Sequence, residues 1–390
     1  MKTVYFFGNN HPINESYLST PPQGFIFKSN LNESGFGIVG EYTRQHEFSK
    51  KFVNKVYNFY ELPRIMYIPT TCDLIHTQGG IIPTNKIPHV ITIEHSSSFF
   101  SLDDDRFDSQ KSKSSLLKRL ENKYCKKILP YSEATKKSLI NALGEESTRI
   151  LDKVEVVYPA LDLKSIDPYV SKRNNEKDIS LLFISRHFID DGARELIKAL
   201  EILDKKYDVK LRIVTNPPQH HREEFCRIVK RIKSKSIQIV DGVLPRSNLF
   251  MDYFSQSDIF VLPSYIHFFG FIMLEAMAFG MPLIGSNTYA IPEIVRNGIN
   301  GYNVDSEISC FNEKYMKPKD HVRNYRQAVM DEKLLAPVTD QLVEEIGRII
   351  ENDSLRKKMG LESRQMVENG IFSTKERNHK ISTIYRAALE

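Results

Sequence analysis

Cysteine is scarce in this sequence, and no two cysteines are close together. The chain has 390 residues, of which only Cys72, Cys125, Cys226 and Cys310 are cysteine, and none form a C-x-x-C pair. This spacing argues against a disulfide framework and against a cysteine-based zinc site. We therefore expect reduced thiols, as in a cytoplasmic protein.

Long apolar runs are also absent. The apolar run in the N-terminal MKTVYFFGNN is too short for a signal peptide, and Asn9 and Asn10 interrupt it. No segment approaches the roughly 20 apolar residues that a membrane-spanning helix needs. We expect a soluble protein and leave open a peripheral contact with the inner face of a membrane.

A strong excess of charge of one sign is missing too. The formal net charge is +5, which is mild for a chain of this length. No nucleic-acid-binding motif accompanies it, so we expect no nucleic-acid partner, whereas an anionic ligand or membrane surface would suit the charge. The oligomeric state is left open. The length and the 41% hydrophobic content allow two domains of ordinary size.

Short β-branched and aromatic runs alternate with helical patterns along most of the chain. The alternation restarts after a polar linker at 171–178, which predicts two α/β domains with parallel sheets. In open parallel sheets, ligands bind at the carboxyl ends of the strands, so we expect a cleft between these edges. The predicted strands are 4–7, 73–77, 89–95, 127–132 and 154–160 in the first half, and 179–185, 210–215, 237–240, 258–264 and 282–286 in the second.

The domain boundaries follow from this alternation of strand and helix patterns. We place an N-terminal domain at 1–168 and a C-terminal domain at 175–370. Residues 306–335 are polar and weakly periodic, and we interpret them as an irregular insertion, a surface loop with a short helix. A loop of that length is usually functional or disordered.

The segment 263–304 contains the most informative pattern. Glu275 follows a turn that contains Gly270, at the predicted start of a helix, and a second helix start is predicted at 291–293. Two helix N-termini on one side of a sheet favour an anionic ligand such as phosphate. A carboxylate beside them can bind sugar hydroxyls.

This segment resembles the nucleotide-sugar-binding domain of glycosyltransferase family 4, whose members are retaining enzymes of the GT-B fold. The resemblance covers most of the chain, is weakest in residues 1–70 and is absent in 306–335. It implies two Rossmann-like domains facing each other across a deep cleft, with a closing helix at about 372–390 packed back on the first domain. The matching residues are Pro263, Ser264, Phe269, Gly270, Glu275, Ala276, Met277, Ala278, Gly280, Pro282, Pro292, Glu293, Ile294, Val295, Gly298, Asn300 and Gly301.

The resemblance also implies roles for individual residues of the second domain. Glu275 would hold the ribose hydroxyls, and Arg186 would bind the phosphates of the donor. Gly270, between Phe269 and Phe271, would bring backbone N–H groups to the sugar or phosphate. The alternative for Glu275 is a helix carboxylate that only interacts with the helix dipole.

Further implied donor contacts lie on both domains. Val243, in the turn after the strand 237–240, would lie against the base. Gly35 and Gly37 resemble a glycine loop that faces the donor phosphates. His95 resembles a histidine that reaches the sugar from the acceptor side, and a satisfied core histidine is its alternative.

Two positions depart from the family pattern. His267 replaces the first glutamate of the paired motif, and Asp191 replaces a lysine that grips the diphosphate. The resemblance implies that His267 would face the donor sugar, where a neutral imidazole can still exchange hydrogen bonds with a hydroxyl. The alternative is a loop histidine at a site that has lost its function. Arg246 and Arg194 are candidates to restore the positive charge, although we expect Arg194 to face solvent on its helix.

The segment 41–60 is a candidate basic amphipathic helix. Phe48, Phe52, Val56 and Tyr60 form one apolar stripe. Such a helix can lie on an anionic membrane that carries a lipid-linked acceptor. Packing of the same stripe on a sheet is the more common outcome.

Together, the resemblance implies a metal-independent, cytoplasmic glycosyltransferase. It would move a sugar from a nucleoside-diphosphate sugar to a hydroxyl of a glycan, lipid or other acceptor, with retention and without a bound cofactor. The alternative is a non-catalytic homologue that acts as a binding or partner subunit, because His267 and Asp191 replace family residues. A sugar-nucleotide epimerase would need additional cleft carboxylates, and the sequence contains no convincing set.

Overall fold

The structure is a computed structural model that describes residues 1–31, 61–170 and 178–390. These residues form two compact units. Unit 1 contains the described residues of Met1–Ala160, with Glu313–Lys319 and Thr374–Glu390, and unit 2 contains those of Leu161–Asn312 and Asp320–Ser373. The division between the units therefore falls at Ala160, earlier than the predicted end of the first domain at residue 168.

Two of the predicted features lie outside the described residues. They are the glycine turn with Gly35 and Gly37 and the amphipathic segment 41–60. The interpretations given to them stay predictions.

Unit 1 is built on a five-stranded sheet in which all neighbouring strands are parallel. The strand order is β2-β1-β4-β6-β7, and β3 and β5 form a separate parallel pair. The central strands are buried along their length, as expected for a sheet covered by helices on both faces. The strands are β1 (Lys2–Phe7), β2 (Phe25–Ser29), β3 (Ile65–Met66), β4 (Leu74–Thr77), β5 (Ile82–Pro83), β6 (His89–Ile93) and β7 (Cys125–Pro130).

The segment 154–160, predicted as a strand, is not one. It forms a single bridge to β7, between Val154 and Ile128, and two backbone hydrogen bonds to the same strand. The valines are buried, which explains their strand-like pattern, but Pro159 lacks the N–H that a continued ladder would use.

Helices cover this sheet, and the last helix of the chain is one of them. Its apolar residues Ile381, Ile384, Tyr385 and Ala388 recur at helical spacing and belong to the same buried cluster as Val4 of β1. The main helices of unit 1 are α1 (Pro12–Ser19), α2 (Gln110–Leu120), α3 (Glu133–Leu143) and α10 (Thr374–Leu389).

Unit 2 is built on a six-stranded, wholly parallel sheet of order β10-β9-β8-β11-β12-β13. From β8 the chain proceeds to β9 and β10 on one side, and then returns to β11 on the other side. The strands are β8 (Ile179–Ser185), β9 (Val209–Thr215), β10 (Ile237–Asp241), β11 (Ile259–Val261), β12 (Leu283–Ser286) and β13 (Gly301–Val304). The longer helices are α4 (Ala193–Leu203), α5 (Arg222–Arg231), α6 (Phe271–Ala278), α7 (Lys319–Ala328), α8 (Glu332–Glu351) and α9 (Asp353–Glu368).

This strand order creates a topological switch point between β8 and β11. In open α/β sheets, ligands bind in the crevice beyond the carboxyl ends of the strands at such a point. The predicted fold class is confirmed in that both units are α/β with parallel sheets. The cleft predicted between the two domains stays a prediction.

The predicted insertion at 306–335 is more ordered than a surface loop. Ile308, Cys310 and Tyr325 are buried, and α7 runs through its second half. Residues Glu313–Lys319 belong to unit 1, where Met316 joins the buried cluster that contains Phe99 and Leu139. The hydrophobic pattern in this part of the sequence is weakly periodic because its residues pack alternately into two different units.

None of the helices in the described part of the chain is long and apolar enough to cross a lipid bilayer.

Arg377 fixes α10 to α1 inside unit 1. The guanidinium is buried, donates to the hydroxyl and carbonyl of Ser16 and to the carbonyl of Thr20, and lies 4.2 Å above the ring centroid of Tyr17. Removing it takes one charged donor from the carbonyl groups of Ser16 and Thr20 and removes the contact with the Tyr17 ring. A hydrogen bond to a charged group contributes about 1.5–3 kcal/mol.

We predict that Arg377→Met lowers the free energy of unfolding by about 3 kcal/mol. The measurement is chemical denaturation of the full chain, followed by circular dichroism. Arg386→Met, which changes an exposed arginine of the same helix, is the matched control and should leave stability nearly unchanged. Equal effects of the two substitutions would contradict this role for Arg377.

Candidate functional site

The first helix of the signature segment begins at a glycine. Gly270 has φ +83°, a conformation that a residue with a Cβ adopts only under strain, and it is the N-cap of α6. The amide of Met273 donates to the carbonyl of Gly270 over 2.9 Å. The positive end of the α6 dipole therefore lies at this turn and favours an anion there.

The sequence predicted Glu275 at the start of the helix, but α6 begins at Phe271 and Glu275 lies about one turn inside it. Its side chain is only 9% exposed and forms an ion pair with Arg246, whose side chain is 35% exposed. Burial raises the pKa of Glu275 to about 7, and the nearby Arg246 charge and hydrogen bond only partly offset this. Glu275 is thus a buried carboxyl group with a pKa near neutral pH.

Arg246 is one of the two arginines considered as compensating cations. It follows Pro245, in the single turn Arg246–Asn248, and its guanidinium carbon lies 5.2 Å from the ring centroid of Phe250. The spacing of the sequence did not indicate that Arg246 pairs with Glu275. In the structure, the Arg246 guanidinium forms an ion pair with the Glu275 carboxylate.

The other candidate, Arg194, is buried, so the prediction that it faces solvent is wrong. It donates to Glu195 over 2.7 Å and to the carbonyl of Val329 over 2.7 Å. Its guanidinium is therefore tied to the segment that precedes α8.

The remaining predicted donor contacts of unit 2 lie at strand ends. Arg186 is exposed immediately after β8, and Val243 is 75% exposed shortly after β10. Carboxyl ends of parallel strands share one edge of the sheet, so both lie at the edge where ligands bind. The Phe269 side chain is buried and that of Phe271 is partly buried, so Phe269 can offer only its backbone.

Asp191 and His267, the two departures from the family pattern, are in contact. The His267 Nδ1 atom lies 2.9 Å from a carboxylate oxygen of Asp191 and 2.8 Å from the hydroxyl of Ser264. The hydroxyls of Ser264 and Ser185 both donate to Asp191. These residues join the loop after β8 to the loop after β11, at the switch point.

The charge state of Asp191 follows from its donors. Burial alone would raise the pKa of Asp191, but the charge of His267 and the hydrogen bonds from His267, Ser185 and Ser264 together hold it below its usual value. From the sequence, Asp191 was interpreted as the loss of a cation, and its contact with His267 was not predicted. The sequence does show that both residues follow predicted strands, and the ends of parallel strands lie at one edge of a sheet.

Gly192 brings the same two loops together. It has φ +75°, and a Cβ at this position would lie 2.7 Å from Pro263 Cγ and 2.9 Å from Pro263 O. Only glycine can adopt this positive φ without strain and also leave room for Pro263 at the start of α4.

His95 of unit 1 is fully buried and has partners at both ring nitrogens. Its Nε2 lies 2.8 Å from the carbonyl of Tyr315, and its Nδ1 lies 2.6 Å from the hydroxyl of Ser97. Because a carbonyl only accepts, Nε2 carries the proton. Burial lowers the pKa of His95 to about 3, so the ring is neutral. Both ring nitrogens are thus hydrogen-bonded within unit 1, and the predicted contact of His95 with the sugar stays a prediction.

The second predicted helix start is a single turn, Ile291–Ile294, too short to provide a helix dipole. Within the residues that the structure describes, no group of three or more His, Cys, Asp or Glu side chains is arranged to hold a metal ion. The candidate site of unit 2 therefore consists of the α6 N-terminus, the Glu275–Arg246 pair, the Asp191–His267 pair, Arg186 and Val243.

The sequence model of the family described as "Glycosyl transferases group 1" matches residues 169–317. The N-acetyl-alpha-D-glucosaminyl L-malate synthase of Bacillus anthracis is 26% identical over 163 residues, which is 38% of this chain and 42% of that protein. The alignments cover less than half of the length of the first curated relatives. The region 169–317, which the family model matches, contains Asp191, His267 and Glu275.

Solved structures resemble the chain over nearly its whole length. HepE from Anabaena, in complex with UDP and glucose, has a TM-score of 0.59 at 14% identity and covers 99% of this chain and 100% of that chain. Sucrose-phosphate synthase from Thermosynechococcus elongatus has a TM-score of 0.62 at 14% identity and covers 99% of this chain and 98% of that chain. These likenesses confirm the predicted GT-B fold class. The narrower assignment to glycosyltransferase family 4 stays a prediction.

The raised pKa of Glu275 predicts a pH-dependent stability. A carboxyl group whose pKa rises from 4.5 to about 7 on folding favours the folded state below pH 4.5, and this contribution is lost as pH rises through 7. Relative to Glu275→Gln, the wild type should lose roughly 3 kcal/mol of stability between pH 4.5 and pH 8. Denaturation curves of both proteins across this range provide the measurement. Parallel pH profiles would contradict the burial effect.

Gly192→Ala should lower the free energy of unfolding by about 2–4 kcal/mol, because it adds both backbone strain and a clash with Pro263. Gly242→Ala is the matched control, since a Cβ at Gly242 would have no neighbour within 4 Å. Thermal unfolding of both variants tests this. A control as unstable as Gly192→Ala would show that the effect is not specific to the close approach.

Proposed function

We propose that this chain, whose residues 169–317 match the family model described as "Glycosyl transferases group 1", is a glycosyltransferase that uses a nucleoside-diphosphate sugar. The observation that carries the proposal is the turn at Gly270, which places a helix N-terminus and the Glu275 carboxylate within one turn of each other. An anion and a set of hydroxyls are the two parts of a sugar nucleotide that such a pair recognises.

Each part of the donor has a proposed partner. Ribose hydroxyls would donate to Glu275, which shares its carboxylate with Arg246. The diphosphate would lie between the N-terminus of α6 and Arg186, and the base against Val243. The Anabaena neighbour is described as a complex with UDP, which makes UDP the first nucleotide to test.

The proposed reaction moves the sugar to a hydroxyl acceptor, a glycan or a lipid-linked sugar, with retention of configuration. The bond between the sugar C1 and the diphosphate oxygen breaks, and a bond between C1 and the acceptor oxygen forms. The acceptor proton passes to the leaving diphosphate, so the protein supplies no strong base. Its contribution is electrostatic, because fixed N–H groups and Arg186 stabilise the charge that develops on the diphosphate. No metal is required in this scheme.

The cytoplasmic side of a membrane would suit a lipid-linked acceptor. The basic segment 41–60, which lies outside the described residues, is the part of the chain proposed to contact the membrane.

The alternative, a non-catalytic homologue, rested on the replaced residues His267 and Asp191. These side chains form a hydrogen-bonded pair at the switch point of the sheet, as expected for a maintained site. We therefore favour the enzyme. Binding of UDP without transfer from any sugar nucleotide to any acceptor would support the binding protein instead.

We predict that UDP binds to the wild type and that Arg186→Ala weakens this binding by about 10- to 100-fold, the cost of one charge-assisted contact. Glu275→Ala should lower the kcat/KM of sugar transfer by a similar factor or more. Calorimetric titration measures the first effect, and release of the nucleoside diphosphate during transfer measures the second. Arg231→Ala, an exposed arginine at the end of α5, is the control.

Wild-type affinity in Arg186→Ala together with wild-type transfer in Glu275→Ala would remove the donor site from this edge of the sheet. If UDP does not bind, GDP and other nucleoside diphosphates are tested in the same way, and failure of all of them would contradict the proposed function.

A further inference from the structure

Arg246 and Glu275 form one of two contacts that join the segment after β10 to α6. The Arg246 guanidinium pairs with the Glu275 carboxylate. Four residues further along each segment, the ring centroids of Phe250 and Phe279 lie 5.6 Å apart. Both segments are helical here, and side chains four residues apart in a helix lie on the same face. The ion pair and the ring contact therefore hold the two segments in a single register.

The position of the Arg246 charge is set by packing as well as by its partner. The guanidinium carbon lies 5.2 Å from the ring centroid of Phe250, and Phe250 is buried against Phe254 and Phe279. A cation that rests on a buried ring loses less side-chain freedom when it pairs than an arginine that extends into solvent. The aromatic cluster therefore keeps a positive charge beside Glu275.

Glu275 needs such a charge to stay ionised. The α6 residues on either side of it are buried and apolar, and burial disfavours the charged form of a carboxyl group. Among the described residues, Arg246 is the charged group that acts on this carboxyl, and burial raises the pKa of Glu275 to about 7 although Arg246 lowers it. Of the elements packed against α6, β12 is uncharged, and α9 directs Arg364 to the carbonyl of Ala278 at the other end of the helix.

The charge state of Glu275 decides how many hydrogen bonds it can accept. An ionised carboxylate has two oxygens with about four acceptor sites, whereas a protonated carboxyl group uses one oxygen as a donor. Arg246 bonds to one oxygen, from Nη2 to Oε1, which leaves acceptor sites that the described residues do not use. A ligand whose hydroxyls donate to this group therefore binds its ionised form.

We propose that Arg246 is a positioning residue that keeps Glu275 ionised, so that the carboxylate accepts hydrogen bonds from the ribose hydroxyls of the donor. The proposal rests on the proposed function for the identity of the ligand. It makes donor binding depend on pH, because the ionised form of Glu275 binds, and a protonated Glu275 must release its proton first. Substitution of Arg246 then weakens binding without removing the group that contacts the donor.

The charge state can be measured without a ligand. Carbon-13 spectra of the full chain with labelled glutamate carboxyls follow each carboxyl through a pH titration, and Glu275→Gln identifies the Glu275 signal by its loss. We expect the titration midpoint at about pH 7 in the wild type and about one pH unit or more higher in Arg246→Met. Arg231→Met, which changes an exposed arginine at the end of α5, should leave the midpoint unchanged. An unchanged midpoint in folded Arg246→Met would overturn the proposal.

A conservative variant separates the charge of Arg246 from its packing. Arg246→Lys keeps the positive charge and loses the planar group. We expect its midpoint to lie closer to that of the wild type than to that of Arg246→Met. A midpoint as high as that of Arg246→Met would overturn the proposal, because the charge would then have no effect. If Arg246→Met does not fold, the wild-type pH profile of donor binding decides.

Donor binding is tested with UDP-glucose, whose diphosphate lacks the terminal group that would itself titrate at about pH 6. Wild-type affinity, measured by calorimetry, should rise about tenfold from pH 6 to pH 8, as the ionised fraction of Glu275 does, and the affinity of Glu275→Gln should change little. Arg246→Met should bind about tenfold more weakly at pH 7, and the difference should narrow towards pH 9. A flat wild-type profile, or a loss in Arg246→Met that is equal at every pH, would overturn the proposal.

The outcomes separate this role of Arg246 from the proposed function. If UDP-glucose and the nucleoside diphosphates all fail to bind while Arg246→Met raises the Glu275 midpoint, the proposed donor is wrong and the positioning of Glu275 by Arg246 is still supported. If UDP-glucose binds and the midpoint is unchanged in Arg246→Met, the proposed donor stands and the role of Arg246 is overturned.

Discussion

A buried carboxylate is stable as an anion only when donors surround it, and the site of unit 2 depends on that requirement at Asp191. Its donors come from two separate parts of the chain, the end of β8 and the loop after β11, and Asp191 itself lies in the loop after β8. Meeting the requirement therefore fixes the distance between the loops and the orientation of the His267 ring. Gly192 removes the steric barrier to the same approach. One electrostatic constraint thus sets the geometry of the whole switch point.

At Glu275, in the same unit, the effect of burial outweighs the effect of the hydrogen-bond donors. Its one described cationic partner, Arg246, does not compensate for burial, and the pKa of the carboxyl is raised, whereas that of Asp191 is lowered. The pKa values of these two carboxyl groups thus shift in opposite directions because their numbers of donors differ. Carboxyl groups with strongly shifted pKa values cluster at functional sites.

The sequence was sufficient where the evidence was local. The strand β8 has the predicted bounds, and the signature segment led to the turn at Gly270 and to Glu275. It failed where the outcome depends on contacts between distant residues. Segment 154–160 has a strand pattern because its valines are buried, but it lacks a full ladder. Arg194 was expected in solvent because its buried partners, Glu195 and the carbonyl of Val329, cannot be inferred from helical spacing. The pairing of Asp191 with His267 was missed for the same reason.

The seven residues Glu313–Lys319 give the chain an unusual connectivity. The polypeptide changes unit after Ala160, after Asn312, after Lys319 and again after Ser373. Neither unit is therefore a continuous stretch that can be excised or exchanged with a related protein at a single junction. A fragment that ends before Glu313 would leave the hydrophobic core around Phe99 without Met316, and the ring of His95 without its carbonyl partner. Recombination between relatives of this chain must respect four crossover points, which restricts how its two units can be exchanged during evolution.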